Sequence, residues 1–91
     1  MDISKQIEYW EKNAVTDFET AEILIEKDKI LHGLFFCHLT IEKILKAHFV
    51  KTNKNLAPKT HDLIYIANQC SNILDEKQMI FLTILMKYQY Q

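Results

Sequence analysis

The sequence has very few of the residues that interrupt regular structure. Its 91 residues contain one glycine and one proline. A sheet-based domain needs turn residues at short intervals, so this composition favours a few long helices joined by tight connections. With a single glycine, the chain also has no glycine-rich loop that could wrap around a phosphate group.

An excess of charge of one sign is lacking too, because 11 basic residues face 12 acidic ones. The whole chain therefore creates no strong field that would attract nucleic acid or an anionic membrane, and we expect no DNA partner and no membrane partner. Arginine is absent, and every basic residue is lysine. The planar fork with which arginine grips phosphates and carboxylates is therefore missing.

Cysteine motifs and long apolar runs are missing as well. Cys37 and Cys70 stand among apolar neighbours, and we expect both to be reduced thiols in the core. No apolar run approaches the roughly 20 residues that span a bilayer, and the start of the chain lacks a basic and apolar leader pattern. These absences predict a cytoplasmic protein.

The sequence does contain a helical periodicity of apolar residues. Its length predicts a single domain that covers residues 1–91. Apolar residues recur every three or four positions from Ile3 to about Lys27, which predicts a first amphipathic helix. Gly33 is expected in the following turn because glycine accepts a positive φ without steric cost. A second helix is predicted from Leu34 to about Lys51.

Signals for two further helices follow a polar loop at residues 52–59. Thr60 stands where an N-cap is expected, and apolar spacing predicts a third helix that reaches Leu74. Asp75 and Gln78 resemble a capping box, which predicts the start of a fourth helix. The predicted fold class is all-α, an antiparallel up-and-down four-helix bundle.

The second helix carries apolar residues on two sides, which is more than one face of a bundle covers. Phe36 and Leu39 belong to the second of these apolar stripes. The stripe must meet either an unusually wrapped first helix or another subunit. We expect a homodimer with Phe36 and Leu39 in its interface.

Polar residues form one group of interest. His38, Glu42 and Lys46 recur every four positions and therefore project from one side of a helix. This pattern is typical either of a solvated stripe or of a polar site. His61 and Asp62 stand at the predicted start of the third helix, where they would either cap it or complete a ligand-binding pocket.

Catalytic and metal-binding signatures are absent from the sequence, which has no H-E-x-x-H pattern, P-loop or nucleophile motif. We therefore predict no catalytic residues, no metal and no cofactor. The predicted ligand-binding residues are His38, Glu42, Lys46, His61 and Asp62.

Three sequence blocks together resemble the HEPN domain (higher eukaryotes and prokaryotes nucleotide-binding). The blocks are Asp17-x-x-x-Ala21-x-x-Leu24, then Phe35-Phe36-x-His38-x-x-Ile41-Glu42-Lys43-x-Leu45-Lys46-Ala47, and finally Pro58-x-Thr60-His61-Asp62-Leu63. The resemblance implies a helical bundle, usually dimeric, of the small prokaryotic type. Such domains accompany a minimal nucleotidyltransferase in toxin and antitoxin modules.

Many domains of this family are metal-independent ribonucleases with an R-x(4–6)-H motif that is completed across the dimer. This chain has no Arg. Two lysine–histidine spacings resemble the motif, Lys43 to His48 and Lys54 to His61. They lie in other segments of the chain than the family's motif, and lysine lacks the planar fork of arginine.

We therefore expect a non-catalytic domain that binds a nucleotide, RNA or a partner protein. Two alternatives stay open. One is a fragment of a ribonuclease toxin that lacks its catalytic C-terminal end, and the other is a structural dimerisation bundle without a ligand.

Overall fold

Four α-helices make up the fold in the computed structural model, which describes residues 2–70 and 74–87. They are α1 (Ile3–Glu26), α2 (Ile30–Asn53), α3 (Leu63–Asn68) and α4 (Glu76–Met86). The described residues contain no strand. The predicted all-α class and helical bundle are therefore confirmed.

Helices α1 and α2 form a long hairpin whose turn is shorter than the sequence pattern suggested. Asp28 takes the left-handed conformation at φ 65°, which aspartate tolerates better than most residues. The backbone N–H of Lys29 then donates to the Leu24 carbonyl at 2.8 Å, which closes the end of α1. The chain needs only these residues to reverse, so α2 begins at Ile30.

The prediction that Gly33 forms the turn is therefore wrong. Gly33 lies inside α2, is buried, and does not have a positive φ. A Cβ at this position would lie 2.5 Å from Cγ1 of Ile25 and 3.4 Å from the Ala21 carbonyl oxygen. The missing side chain thus lets α1 and α2 approach each other closely just after the turn.

Helices α3 and α4 pack against α2 and against each other, and within the described residues α1 contacts no helix except α2. The main apolar core lies between α2, α3 and α4. Its buried members are Leu45, Leu63, Ile66, Ala67, Cys70, Leu82 and Leu85. Cys37 is half-buried and Cys70 is buried, and both are free thiols.

Helix α3 begins later and ends earlier than predicted. The N-cap is Asp62, whose carboxylate accepts from the Tyr65 backbone N–H at 3.1 Å, so the assignment of Thr60 as the cap is wrong. The Thr60 hydroxyl instead accepts from the backbone N–H of Asp62, the residue that precedes the first residue of the helix. Asp62 is the residue whose extended backbone aims its side chain at the free N–H groups of the first turn.

The start of α4 agrees with the sequence. Asp75 accepts from the Gln78 backbone N–H at 2.8 Å, and the Gln78 side chain accepts from the Asp75 backbone N–H at 2.9 Å. This reciprocal pair confirms the predicted capping box. Ile73, which was expected in the third helix, and Tyr88, expected in the fourth, lie outside the described residues.

None of the helices in the described part of the chain is long and apolar enough to cross a bilayer. Phe36 and Leu39, the predicted interface residues, are half-buried within the single chain. Their part in a dimer stays a prediction.

Candidate functional site

A buried charged cluster lies on one side of α2. His38, Glu42 and Lys46 share that side, as their spacing predicted, but they are only 1%, 3% and 6% exposed. The alternative of a solvated stripe is therefore wrong. Ionisable side chains are rarely buried to this extent unless they are paired, so the partners of each group matter.

The Glu42 carboxylate is the centre of the cluster, and both of its oxygens are paired. Oε2 accepts from Lys46 Nζ at 3.1 Å, and Oε1 accepts from Nδ1 of His61 at 2.8 Å. His38 Nε2 lies 3.8 Å from the same Oε1. Loss of such a partner leaves a buried carboxylate unpaired, which strongly destabilises the fold. These contacts therefore hold the cluster together.

His38 joins the same cluster to the loop that precedes α3. Its Nε2–H donates to the His61 backbone carbonyl at 3.2 Å. A carbonyl oxygen only accepts, so in the neutral ring the proton is on Nε2, and Nδ1 has no hydrogen-bond partner within the described residues. Burial lowers the pKa of His38, although its bond to the His61 carbonyl and the Glu42 charge oppose that shift.

His61 is the exposed member of the cluster, with 65% of its side chain accessible. Its ring and its carbonyl both bond to α2, so this residue fastens the loop of residues 54–62 to the long hairpin. One of the two alternatives for His61, completion of a pocket with the polar residues of α2, requires its ring to lie near Glu42, and the structure places it there. Asp62 is exposed and caps α3, and among the described residues no hydrogen bond or ion pair joins its side chain to the rest of the cluster.

Two residues of α1 that the site prediction left out contact the same part of α2. Lys46 Nζ lies 5.1 Å from the ring centroid of Trp10, which places a cation over an aromatic face. Asp17 forms an ion pair with Lys43. A signal for Asp17 was present in the sequence, because it stands on the apolar stripe of α1, between Ala14 and Ala21.

A second feature of the site is the distribution of charge along the chain. Residues 43–61 contain five lysines, two histidines and no acidic residue. Lys43 and Lys46 are held in ion pairs, whereas Lys51, Lys54 and Lys59 are exposed. The end of α2 and the following loop therefore form a basic surface.

A shallow depression of about 330 Å³ lies beside this basic surface, where Lys59 and Thr60 approach Tyr65. No group of three or more His, Cys, Asp or Glu residues in the described ranges is arranged to hold a metal ion. The groups available here for chemistry are lysine ammonium ions, the imidazole of His61, the Asp62 carboxylate and the hydroxyls of Thr60 and Tyr65.

These features define a class, namely a small helical domain with a long two-helix hairpin and a buried His–Glu–Lys cluster tied to the loop before the third helix. A profile of the HEPN domain matches residues 7–90 of the chain. The chain belongs to the HEPN domain family, as its sequence blocks indicated. Comparison with curated proteins and with solved structures gave no match.

Proposed function

We propose that this HEPN domain binds the phosphate groups of a nucleotide or an RNA at its basic loop surface, defined as Lys51, Lys54, Lys59 and the ring of His61. The observation that carries the proposal is the run of residues 43–61, which has seven basic or titratable basic side chains and no acidic one. In a chain of net charge −1, this run is a local site for anions.

The buried members of the cluster have a different part in this proposal. His38, Glu42 and Lys46 are too deeply buried to touch a ligand, so they act as positioning residues. They hold His61 and the loop at a set distance from α2. Asp62 adds a negative charge at the end of the loop and sets the start of α3. Binding then depends on His61 and the three exposed lysines.

Lysine contacts to phosphate are point-charge interactions, so the proposed binding is sensitive to salt and tolerant of sequence. Each phosphate neutralised on a single strand adds roughly −0.7 to the slope of log affinity against log salt. Three lysines therefore predict a slope of about −2 for a single-stranded RNA.

The test is a binding titration with a fluorescent single-stranded RNA, together with an NMR titration with ATP. The variant Lys51→Gln/Lys54→Gln/Lys59→Gln should lower RNA affinity by at least about tenfold at low salt. The matched control is Lys5→Gln/Lys12→Gln/Lys27→Gln, which removes the same charge from three exposed positions of α1 and its C-cap. Equal losses in both variants would show a non-specific charge effect and contradict the proposal.

We propose further that the domain is non-catalytic and forms the HEPN half of a toxin–antitoxin module, with a minimal nucleotidyltransferase as its partner. Family membership and the lack of any Arg in the sequence support this part. The labelled RNA should stay intact throughout the titration. Cleavage that disappears in His61→Ala would favour the ribonuclease alternative, and absence of binding to RNA and ATP would favour the purely structural one.

A further inference from the structure

The shallow depression beside the basic loop surface has the size and the lining that suit a nucleobase. Its volume is about 330 Å³, and it is lined by Pro58, Lys59, Thr60, Asp62 and Tyr65. Pockets for small ligands begin at roughly 300 Å³, so this one has room for a single base. Tyr65 is 49% exposed, which leaves part of its ring open for a base to stack on it.

Local hydrogen bonds fix the backbone of this depression before any ligand binds. The Thr60 N–H donates to the Pro58 carbonyl at 3.0 Å, and the Asp62 N–H donates to the Thr60 hydroxyl at 3.1 Å. The Tyr65 N–H donates to Oδ1 of Asp62 at 3.1 Å. These three N–H groups are already engaged, so a ligand in the depression meets side chains. A preformed site of this kind loses less conformational entropy on binding.

The carboxylate of Asp62 does not suit a site for phosphate alone. Asp62 is the first acidic residue after Glu42, and it lines the same depression as Lys59. Its Oδ2 accepts no hydrogen bond from any residue that the structure describes. A carboxylate repels phosphate and only accepts hydrogen bonds, so it fits a part of the ligand that carries N–H donors.

Guanine is the base whose donors match the two oxygens of a carboxylate. Its Watson–Crick edge carries two adjacent donors, N1–H and the N2 amino group, whereas adenine and cytosine each place an acceptor nitrogen next to their amino group. Uracil has one N–H between two carbonyls. A carboxylate has about four lone pairs, so Oδ1 of Asp62 can accept from guanine while it still accepts from the Tyr65 N–H. Proteins read single-stranded bases through such edges together with stacking on aromatic rings.

We infer that this depression is a subsite for a guanosine phosphate, in which the base stacks on Tyr65, Asp62 accepts from N1–H and the N2 amino group, and Lys59 contacts the adjacent phosphate. The inference rests on the proposed function, because the exposed lysines of the basic loop surface supply the phosphate contacts. Such contacts carry no sequence information. Tyr65 and Asp62 therefore add selectivity at one nucleotide to binding that is otherwise tolerant of sequence.

The first test compares ligands on the wild-type chain at low salt. Short uridine strands with a central G, A, C or inosine are titrated by fluorescence, and GMP and AMP are titrated by NMR. The G strand should bind at least about fivefold more tightly than the A and C strands, the low end of discrimination by a bidentate base contact. Inosine lacks the N2 amino group, so its strand should bind with intermediate affinity. A G strand that binds more tightly than GMP identifies RNA as the ligand, and equal affinities identify a free nucleotide.

The second test asks whether Asp62 selects the base. Asp62→Asn keeps the N-cap, because Asn and Asp cap helices about equally well, but it replaces one acceptor oxygen by an NH₂ donor. The preference for the G strand over the A strand should disappear in this variant. Loss of negative charge alone would instead raise the affinity for all strands equally. The matched control is Asp75→Asn, which changes the exposed N-cap of α4 and should keep the preference for G.

The third test concerns the stacking ring. Tyr65→Ala should weaken binding of the G strand by at least about fivefold, because the stacking of one base is lost. Tyr65→Phe should bind like the wild type, since the ring and not the hydroxyl stacks. The matched control is Tyr9→Ala, which removes a tyrosine of similar exposure, 55%, from α1 and should leave binding unchanged. Circular dichroism checks that all these variants stay helical.

Three outcomes would overturn the inference: equal affinity of the wild type for the G and A strands, a preference for G that survives Asp62→Asn, or a Tyr65→Ala variant that binds like the wild type. If the lysine variant of the basic loop surface still abolished binding, the proposed function would stand without the guanine subsite. A preference for GMP that needs Asp62 but not Lys51 and Lys54 would instead reject the basic loop surface and keep the subsite. Failure of every strand and nucleotide to bind would reject both.

Discussion

Glu42 is the residue on which most of the buried cluster depends. Its carboxylate is almost fully buried and is held by Lys46 from its own helix and by His61 from the loop. Desolvation of a buried ion pair offsets much of the attraction within it, so such a pair adds little net stability, whereas the loss of one partner is costly. The cluster therefore acts mainly to position His61.

Lys46→Met tests this view, because methionine keeps the length of the side chain but removes its charge. The variant should lower the free energy of unfolding by about 3 kcal/mol, since the Glu42 carboxylate is left with one strong partner. The double variant Glu42→Gln/Lys46→Met should recover at least half of that loss. Urea denaturation of both variants and the wild type measures these free energies of unfolding.

The exposed pair of Glu8 and Lys12, with the same i,i+4 spacing, is a control for the buried one. Lys12→Met should leave the free energy of unfolding nearly unchanged, because exposed ion pairs contribute little. If Lys46→Met lowered the free energy of unfolding as little as Lys12→Met, the Glu42 carboxylate would not be held by Lys46 as the structure indicates.

His38 predicts how stability depends on pH. Burial lowers its pKa in the folded state below the ordinary value of 6.5. The unfolded chain therefore binds more protons at this residue between the two pKa values, and stability rises with pH in that window. The contribution of His38 is complete above about pH 6.5 and is lost as the pH falls through the lowered folded pKa.

His38→Gln should flatten this pH dependence, because glutamine does not titrate and can still donate to the His61 carbonyl. The measurement is urea denaturation of wild type and variant across the range from neutral to mildly acidic pH. His32→Gln, at an exposed position of the same helix, is the control and should keep the wild-type dependence. Unchanged pH dependence in His38→Gln would show that another group is responsible.

At the scale of elements, the close contact between α1 and α2 explains the long hairpin. Gly33 removes a side chain that would collide with Ile25, and the ion pair of Asp17 with Lys43 ties the two helices further along. The helices thus stay in contact over most of their length. This contact sets the buried cluster and the basic end of α2 in fixed relation.

The start of α3 gives a prediction at the same scale. Asp62→Ala should lower the free energy of unfolding by about 1 kcal/mol, because it removes the side chain that accepts from the Tyr65 N–H. Thr60→Ala should have a smaller effect, since the Thr60 hydroxyl only accepts from the Asp62 N–H before the helix begins. Thermal or urea unfolding of the two variants compares them directly. A larger effect of Thr60→Ala would restore the assignment made from the sequence.

For the whole molecule, the net charge conceals a strong separation of charge. Residues 2–28 contain eight acidic residues and three lysines, whereas residues 43–61 contain five lysines and no acidic residue. The antiparallel hairpin places these segments side by side and keeps the loop after α2 basic. One molecule therefore presents a basic surface at the end of α2 and in the following loop, and an acidic surface along α1.

The sequence by itself determined the fold class, the number of helices and the family. Apolar periodicity and the scarcity of Gly and Pro predict helices from neighbouring residues alone. The capping box at Asp75 and Gln78 is likewise local, because its two residues lie within one helical turn. The shared side of His38, Glu42 and Lys46 followed from helical spacing alone.

Only the tertiary structure decided how those residues are used. Spacing cannot tell a buried side of a helix from a solvated one, and burial of His38, Glu42 and Lys46 depends on which elements pack against α2. The role of Gly33 likewise depends on a neighbour from α1 that is distant in sequence. The cap of α3 moved from Thr60 to Asp62 because the loop, tied to α2 through His61, sets where the chain turns into the helix.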